Sequence, residues 1–117
     1  LIKIGGRSLL HRYLESLGSV GIRRAEIVVG YKQEMIRAAV EQDCCGVNVT
    51  FLVNEQFYRG SISSLWIART ALDDDTIVMD ADVLFHPDIL RRLVSSPCEN
   101  ALLMDETVQR LGRILKK

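Results

Sequence analysis

At residues 77–85 the sequence IVMDADVLF carries two carboxylates, Asp80 and Asp82, two positions apart at the end of an apolar run. Hard oxygen ligands in this arrangement suit Mg²⁺, which takes one or two carboxylates from a protein and completes its shell with substrate phosphates. Two acidic groups at the end of a buried strand are costly to desolvate without a cation, and that cost favours a metal site. The bland alternative is that both aspartates form a turn or cap a helix, because short acidic side chains bond to nearby backbone N–H groups. A DxD pattern alone is only weakly specific.

The elements that would position these carboxylates follow from periodicity. Ser8 is placed to cap a helix on which Leu9, Leu10, Tyr13, Leu14 and Leu17 recur at helical spacing, with Gly18 and Gly21 bracketing its end. Residues 26–30, EIVVG, read as a short buried parallel strand. A helix over about 32–42 then turns Met35, Ile36, Ala39 and Val40 to one side, and Gly46 closes it. Val47, Val49, Phe51 and Val53 alternate with Asn48, Thr50 and Leu52, the period of a strand toward a sheet edge. Ile62, Leu65, Trp66, Arg69 and Leu72 fit a further helix, with Trp66 expected in the core, ended by Asp73-Asp74-Asp75. Residues 76–79 form a strand candidate that runs straight into Asp80-Ala81-Asp82.

Pro87 at a first turn, followed by Ile89, Leu90, Leu93 and Val94, predicts another helix that stops before Pro97. Residues 101–104 are a fourth strand candidate, and residues 107–117 a last helix with basic residues at its end. Strands alternating with helices predict an α/β fold of three layers, Rossmann-like, with a mostly parallel sheet and helices on both faces. Ligands bind such sheets beyond the carboxyl ends of the strands, where Gly30-Tyr31, Asn54-Glu55 and Asp80-Ala81-Asp82 would face one crevice.

The chain has 117 residues, about one domain, and fifteen Lys and Arg balance fifteen Asp and Glu. That neutrality supplies no basic field for nucleic acid or an anionic membrane, so a small molecule is the expected partner. No apolar run reaches a membrane-spanning length and no signal-peptide pattern opens the sequence, so a cytoplasmic protein is expected. Cys44, Cys45 and Cys98 lack CxxC spacing and read as free thiols rather than a disulfide framework or zinc site. His11 and His86 have no second ligand at metal spacing, which points to surface or capping roles. Arg7, after Gly5-Gly6, could touch a phosphate but reads first as a solvated helix start.

Taken in order, IGGRSLLHRYLESL, IVVGYKQEMI, FLVNEQFY, SSLWIAR, LDDDTIVMDADVLF and ENALLMDE resemble the successive segments of the nucleotidyltransferase family that includes sugar-1-phosphate nucleotidylyltransferases and phosphocholine cytidylyltransferases. The resemblance covers almost the whole chain. It implies a nucleotide-diphospho-sugar transferase-like fold over residues 1–117 as a single partial domain. It also implies transfer of a nucleoside monophosphate from a nucleoside triphosphate to a phosphorylated alcohol or sugar phosphate, with release of pyrophosphate. The phosphocholine branch is the nearest in flavour, which favours CTP.

By that resemblance Asp82 binds the catalytic Mg²⁺, and Asp80 helps near the ribose or the metal's waters. Base recognition falls on Asn54 and on Gly60-Ser61, where an amide can pair with a base edge and a glycine admits close approach. Asn54 as a turn cap is the competing reading. The phosphocholine branch has an Asn-rich stretch where this chain has Arg59-Gly60-Ser61-Ile62-Ser63, a departure at the base and acceptor contacts. The family's glycine-rich loop and catalytic lysine would precede Leu1, so Lys3 is not that lysine and the chain alone is expected to be inactive. A strand lying between residues 26–30 and 76–80 would also be missing. The expected consequences are direct pairing of those two strands, a homo-oligomer through exposed strand edges, or poor solubility.

Two other classes compete. IVMDADVLF also resembles the opening motif of haloacid-dehalogenase-like phosphatases, with Asp80 as nucleophile and Asp82 as general acid. Against it, that motif normally lies near an N-terminus and is followed by Gly or Thr, whereas Val83-Leu84 follow here. The other is a non-catalytic nucleotide-binding or regulatory module.

Overall fold

The computed structural model describes residues 1–103; the expected last helix and the end of the fourth strand candidate lie outside the described residues. One compact unit is Leu1–Leu84, and a second begins at Phe85. The first opens with a small hairpin, β1 (Lys3–Ile4) against β2 (Arg7–Ser8). Its two turn residues, Gly5 and Gly6, have φ of +58° and +78°, the sign that a tight type I′ connection needs at both positions. Ser8 ends the hairpin and caps α1 (Leu9–Ser19), its Oγ accepting from His11 N at 3.2 Å. At the other end Ile22 N donates to Leu17 O and Gly21 N to Gly18 O, a paired closure that Gly21 permits by taking φ +87°.

β3 (Arg24–Val29) leads into α2 (Gln33–Gln42), and α2 into β4 (Asn48–Val53). β3 and β4 pair in parallel over their full length, Arg24 opposite Asn48 and Val29 opposite Val53. Alternation turns Ala25, Ile27, Val49 and Phe51 to one face, where they surround Leu14 of α1, Val40 of α2 and Val47. Burying a side chain of that size contributes about 1.5–3 kcal/mol, so this cluster holds the crossover unit together. After β4 come a 3₁₀ turn at Phe57–Arg59, α3 (Ser61–Ala68) and a second 3₁₀ turn at Arg69–Ala71.

In the second unit α4 (Pro87–Val94) starts on Pro87, with His86 Nδ1 accepting from Asp88 N at 3.2 Å, the capping role expected of that histidine. Leu90 is buried on this helix. Cys44, Cys45 and Cys98 are free. No helix among the described residues is long and apolar enough to cross a membrane.

The structure differs from the sequence expectation at several points. Residues 76–80 have no ladder partner among the described residues, and Val78 is 64% exposed, so the carboxylates do not sit at the end of a buried strand. An apolar run becomes a strand only when a neighbour takes up its N–H and C=O groups, and β3 pairs with β4 alone. Direct pairing of residues 26–30 with 76–80 therefore does not occur. Residues 101–103 likewise form no strand, so the described sheets are the parallel pair and the hairpin, and a three-layer arrangement is not established. Finally, Trp66 is not core: it is 65% exposed, and the Arg69 guanidinium lies 4.4 Å over its ring. α3 half-buries Ile67 and Ala68 and leaves Ile62, Leu65 and Trp66 exposed.

Gly30, at the end of β3, is a packing glycine. A Cβ there would stand 2.8 Å from Cβ and Cδ1 of Phe57. Gly30→Ala is expected to destabilise the protein by about 1–3 kcal/mol, the usual cost of overpacking, read as a lower urea midpoint. An unchanged midpoint would show that the Phe57 turn yields freely.

Candidate active site

The parallel pairing brings two of the three expected strand ends together. Asn54 N donates to Val29 O at 2.8 Å, and Tyr31, just beyond β3, places its ring 6.2 Å from that of Phe57. Phe57 in turn meets Tyr58 edge-on at 6.2 Å, and all three aromatic rings are exposed. This aromatic group at the carboxyl ends of β3 and β4 was signalled in the sequence only by the position of Tyr31.

Asn54 is 2% exposed, and its amide is occupied on both sides. Nδ2 donates to Ser63 Oγ at 2.9 Å and Ser64 Oγ at 3.1 Å, while Oδ1 accepts from Gln56 N at 2.9 Å. Ser63 Oγ donates onward to Gly60 O at 2.7 Å. Asn54 thus ties the end of β4 to the start of α3, the capping role that competed with base recognition. With both amide hydrogens committed, a base could take one only by displacing a serine. Gly60 stands at the head of α3 with φ +95° and ψ 174°, a conformation almost confined to glycine. Ser61, the first residue of α3, is exposed beside it.

Asp80 and Asp82 sit on a different feature, the turn at Ala81-Asp82, and both are exposed. The turn is held from α1: the Tyr13 hydroxyl lies 3.2 Å from Asp80 O and donates to Val83 O. Burial raises the Tyr13 pKa above its ordinary value, and the charges of Asp82 and Asp80 push it the same way, so both carboxylates lie within electrostatic reach of the phenol. No hydrogen bond or ion pair links this turn to Asn54, Gly60 or Ser61 among the described residues. Sequence reasoning placed Tyr13 on the apolar face of its helix and gave no sign of its hydroxyl's target.

No cluster of three or more His, Cys, Asp or Glu that could hold a metal occurs among the described residues. Two carboxylates on one turn nevertheless match the small protein share that Mg²⁺ takes when phosphates fill the rest of its shell. Arg7 is not free to meet a phosphate. Its guanidinium is paired with Glu15 and, at 2.9 Å, with Asp43, which raises its pKa further. The same guanidinium, with Glu15, Asp43 and Cys45, lines an open depression of about 450 Å³ that none of the candidate residues touches.

Residues 1–111 match the MobA-like NTP transferase domain. The chain belongs to that family. The NTP transferase domain is also similar to CMP-5′-(3-aminopropyl)phosphonate synthase of Streptomyces rubellomurinus, 29% identical over 96% of the chain and 18% of the relative. It is 24% identical to the UTP–glucose-1-phosphate uridylyltransferase AglF of Haloferax volcanii, over 91% of the chain and 44% of that protein. With the bifunctional protein GlmU of Azorhizobium caulinodans the identity is 33%, over 80% of the chain and 21% of the relative. The domain thus spans less than half the length of each of these relatives. No solved structure matches it. Membership in an NTP transferase family does not favour the phosphatase alternative for Asp80.

Proposed function

We propose that the protein carrying this domain transfers a nucleoside monophosphate, CMP by preference, from its triphosphate to a small phosphorylated or phosphonate acceptor. The match of residues 1–111 to the NTP transferase family carries this reading. The relative named for a CMP-phosphonate product supports the choice of CTP. In the reaction an acceptor oxygen attacks the α-phosphorus, a new P–O bond forms, the bond to the bridging oxygen breaks, and pyrophosphate leaves.

Asp82 is the proposed Mg²⁺ ligand, with Asp80 orienting the metal's waters or the ribose. Bound there, the ion would neutralise charge on the phosphates as it develops. The turn of Gly60 and Ser61 is the proposed seat of the base, its shape held by Asn54 from behind. The edge of β3 away from β4 has no ladder partner among the described residues, and it is where a second copy or a further strand of the same protein would add.

Thermal melts with CTP, UTP, GTP and ATP test this reading, each run with Mg²⁺ and with EDTA. CTP with Mg²⁺ is expected to stabilise the protein most, by about 2.7 kcal/mol at a hundred-fold excess over its dissociation constant. Equal shifts in EDTA would contradict the metal assignment. Indifference to all four nucleotides would leave a non-catalytic regulatory module or an incomplete nucleotide site.

A further inference from the structure

We infer that Tyr13 is the positioning residue of the carboxylate turn, holding Asp82 in the orientation that a divalent ion requires. The inference rests on the reading of Asp82 given above and adds the side chain that sets its geometry. Residues 77–84 belong to no helix and no ladder, and the carboxylates of Asp80 and Asp82 make no hydrogen bond or ion pair among the described residues. Among the described residues, the side chain that bonds to the turn is Tyr13, its hydroxyl placed between the carbonyls of Asp80 and Val83 on either side of Asp82.

The helix that carries this phenol is itself held at several points. Ser8 caps it, Arg12 Nη2 donates to Ile4 O at 2.7 Å, and Leu14, the next residue after Tyr13, is 1% exposed in the core. His11 reaches α2, its Nε2 3.0 Å from Ala39 O, while its Nδ1 faces Ser8 Oγ at 2.6 Å. A carbonyl can only accept, so Nε2 carries a hydrogen and donates to Ala39 O. Tyr13 is 8% exposed, so its ring has little freedom to swing away. An exposed, irregular loop thereby acquires one fixed point on the rigid part of the molecule. A carboxylate that must meet an ion in a set direction gains from such a support, since the loop's freedom would otherwise have to be given up on binding.

The test measures the Mg²⁺ concentration that half-saturates CTP binding, well below the melting range, for the parent protein and for Tyr13→Phe, Asp82→Ala and Val40→Ala. Tyr13→Phe is expected to raise it by up to about ten-fold, the scale of one lost hydrogen bond that orders the turn. Val40→Ala loosens the core without touching the turn and is expected to leave it unchanged. Asp82→Ala should remove the Mg²⁺ dependence. If Asp82→Ala does so but Tyr13→Phe keeps the parent value, the positioning role falls and the site stands. An equal rise in Val40→Ala would show that Tyr13 acts only through general stability, which also overturns the inference. Parent-like behaviour of Asp82→Ala would remove the site and the inference together.

Discussion

In the protein that carries this domain, Asp82→Ala is expected to lower pyrophosphate release from CTP on the order of 10³-fold, the scale on which an electrostatic partner of the transition state acts. The same variant should melt close to the parent. Asp82 is exposed and its carboxylate makes no hydrogen bond or ion pair among the described residues, and surface changes of that kind usually stay within about 0.5 kcal/mol. The large effect on turnover beside a small effect on stability is what separates a metal ligand from a turn former. Asp80→Ala should cost less, since its assigned part is to orient rather than to ligate. A parent-like rate in Asp82→Ala would return both aspartates to the bland reading of local turn chemistry.

Asn54→Ala is expected to behave in the opposite way, costing about 2–4 kcal/mol of folding stability through three buried hydrogen bonds lost at once. The loss leaves Gln56 N without its acceptor and the hydroxyls of Ser63 and Ser64 without their donor, at a point that is 2% exposed. Urea unfolding measures it directly. Nucleotide preference should change only as far as the Gly60 turn is disturbed. A variant of parental stability with an altered choice among CTP, UTP and GTP would show instead that the amide reads the base itself.

The elements legible in the sequence are those set by contacts within a few residues. Ser8 and Pro87 announce their helices because a cap is a bond to a backbone N–H a few positions on and a first-turn proline has no N–H to satisfy. Gly21 marks the end of α1 because the closing residue must take a positive φ. The parallel pair β3 and β4 follows from alternation and from the ten-residue helix between them. The Gly5-Gly6 turn was visible, but strands two residues long are too short for any period to reveal the hairpin around it.

What was not legible depends on partners distant in the chain. Residues 76–80 have a strand's composition, yet composition does not say whether another backbone lies alongside. Trp66 has the spacing of a core residue, yet it is mostly exposed, with a neighbouring arginine lying over its ring. The hydroxyl of Tyr13 meets residues about seventy positions away, a relation that no local pattern encodes. At the site, the paired aspartates were legible as chemistry, and the side chain that supports them was not. Asn54 was placed correctly at the end of its strand, but its burial among two serines could be seen only in three dimensions.

Paramagnetic Mn²⁺, added with CTP to the isotopically labelled protein, locates the divalent ion by broadening the nearest amide resonances. The account predicts that the signals of Asp80, Ala81 and Asp82 disappear first, and that Asp82→Ala protects them. Selective broadening around Glu15 and Asp43, with residues 80–82 unaffected, would contradict it.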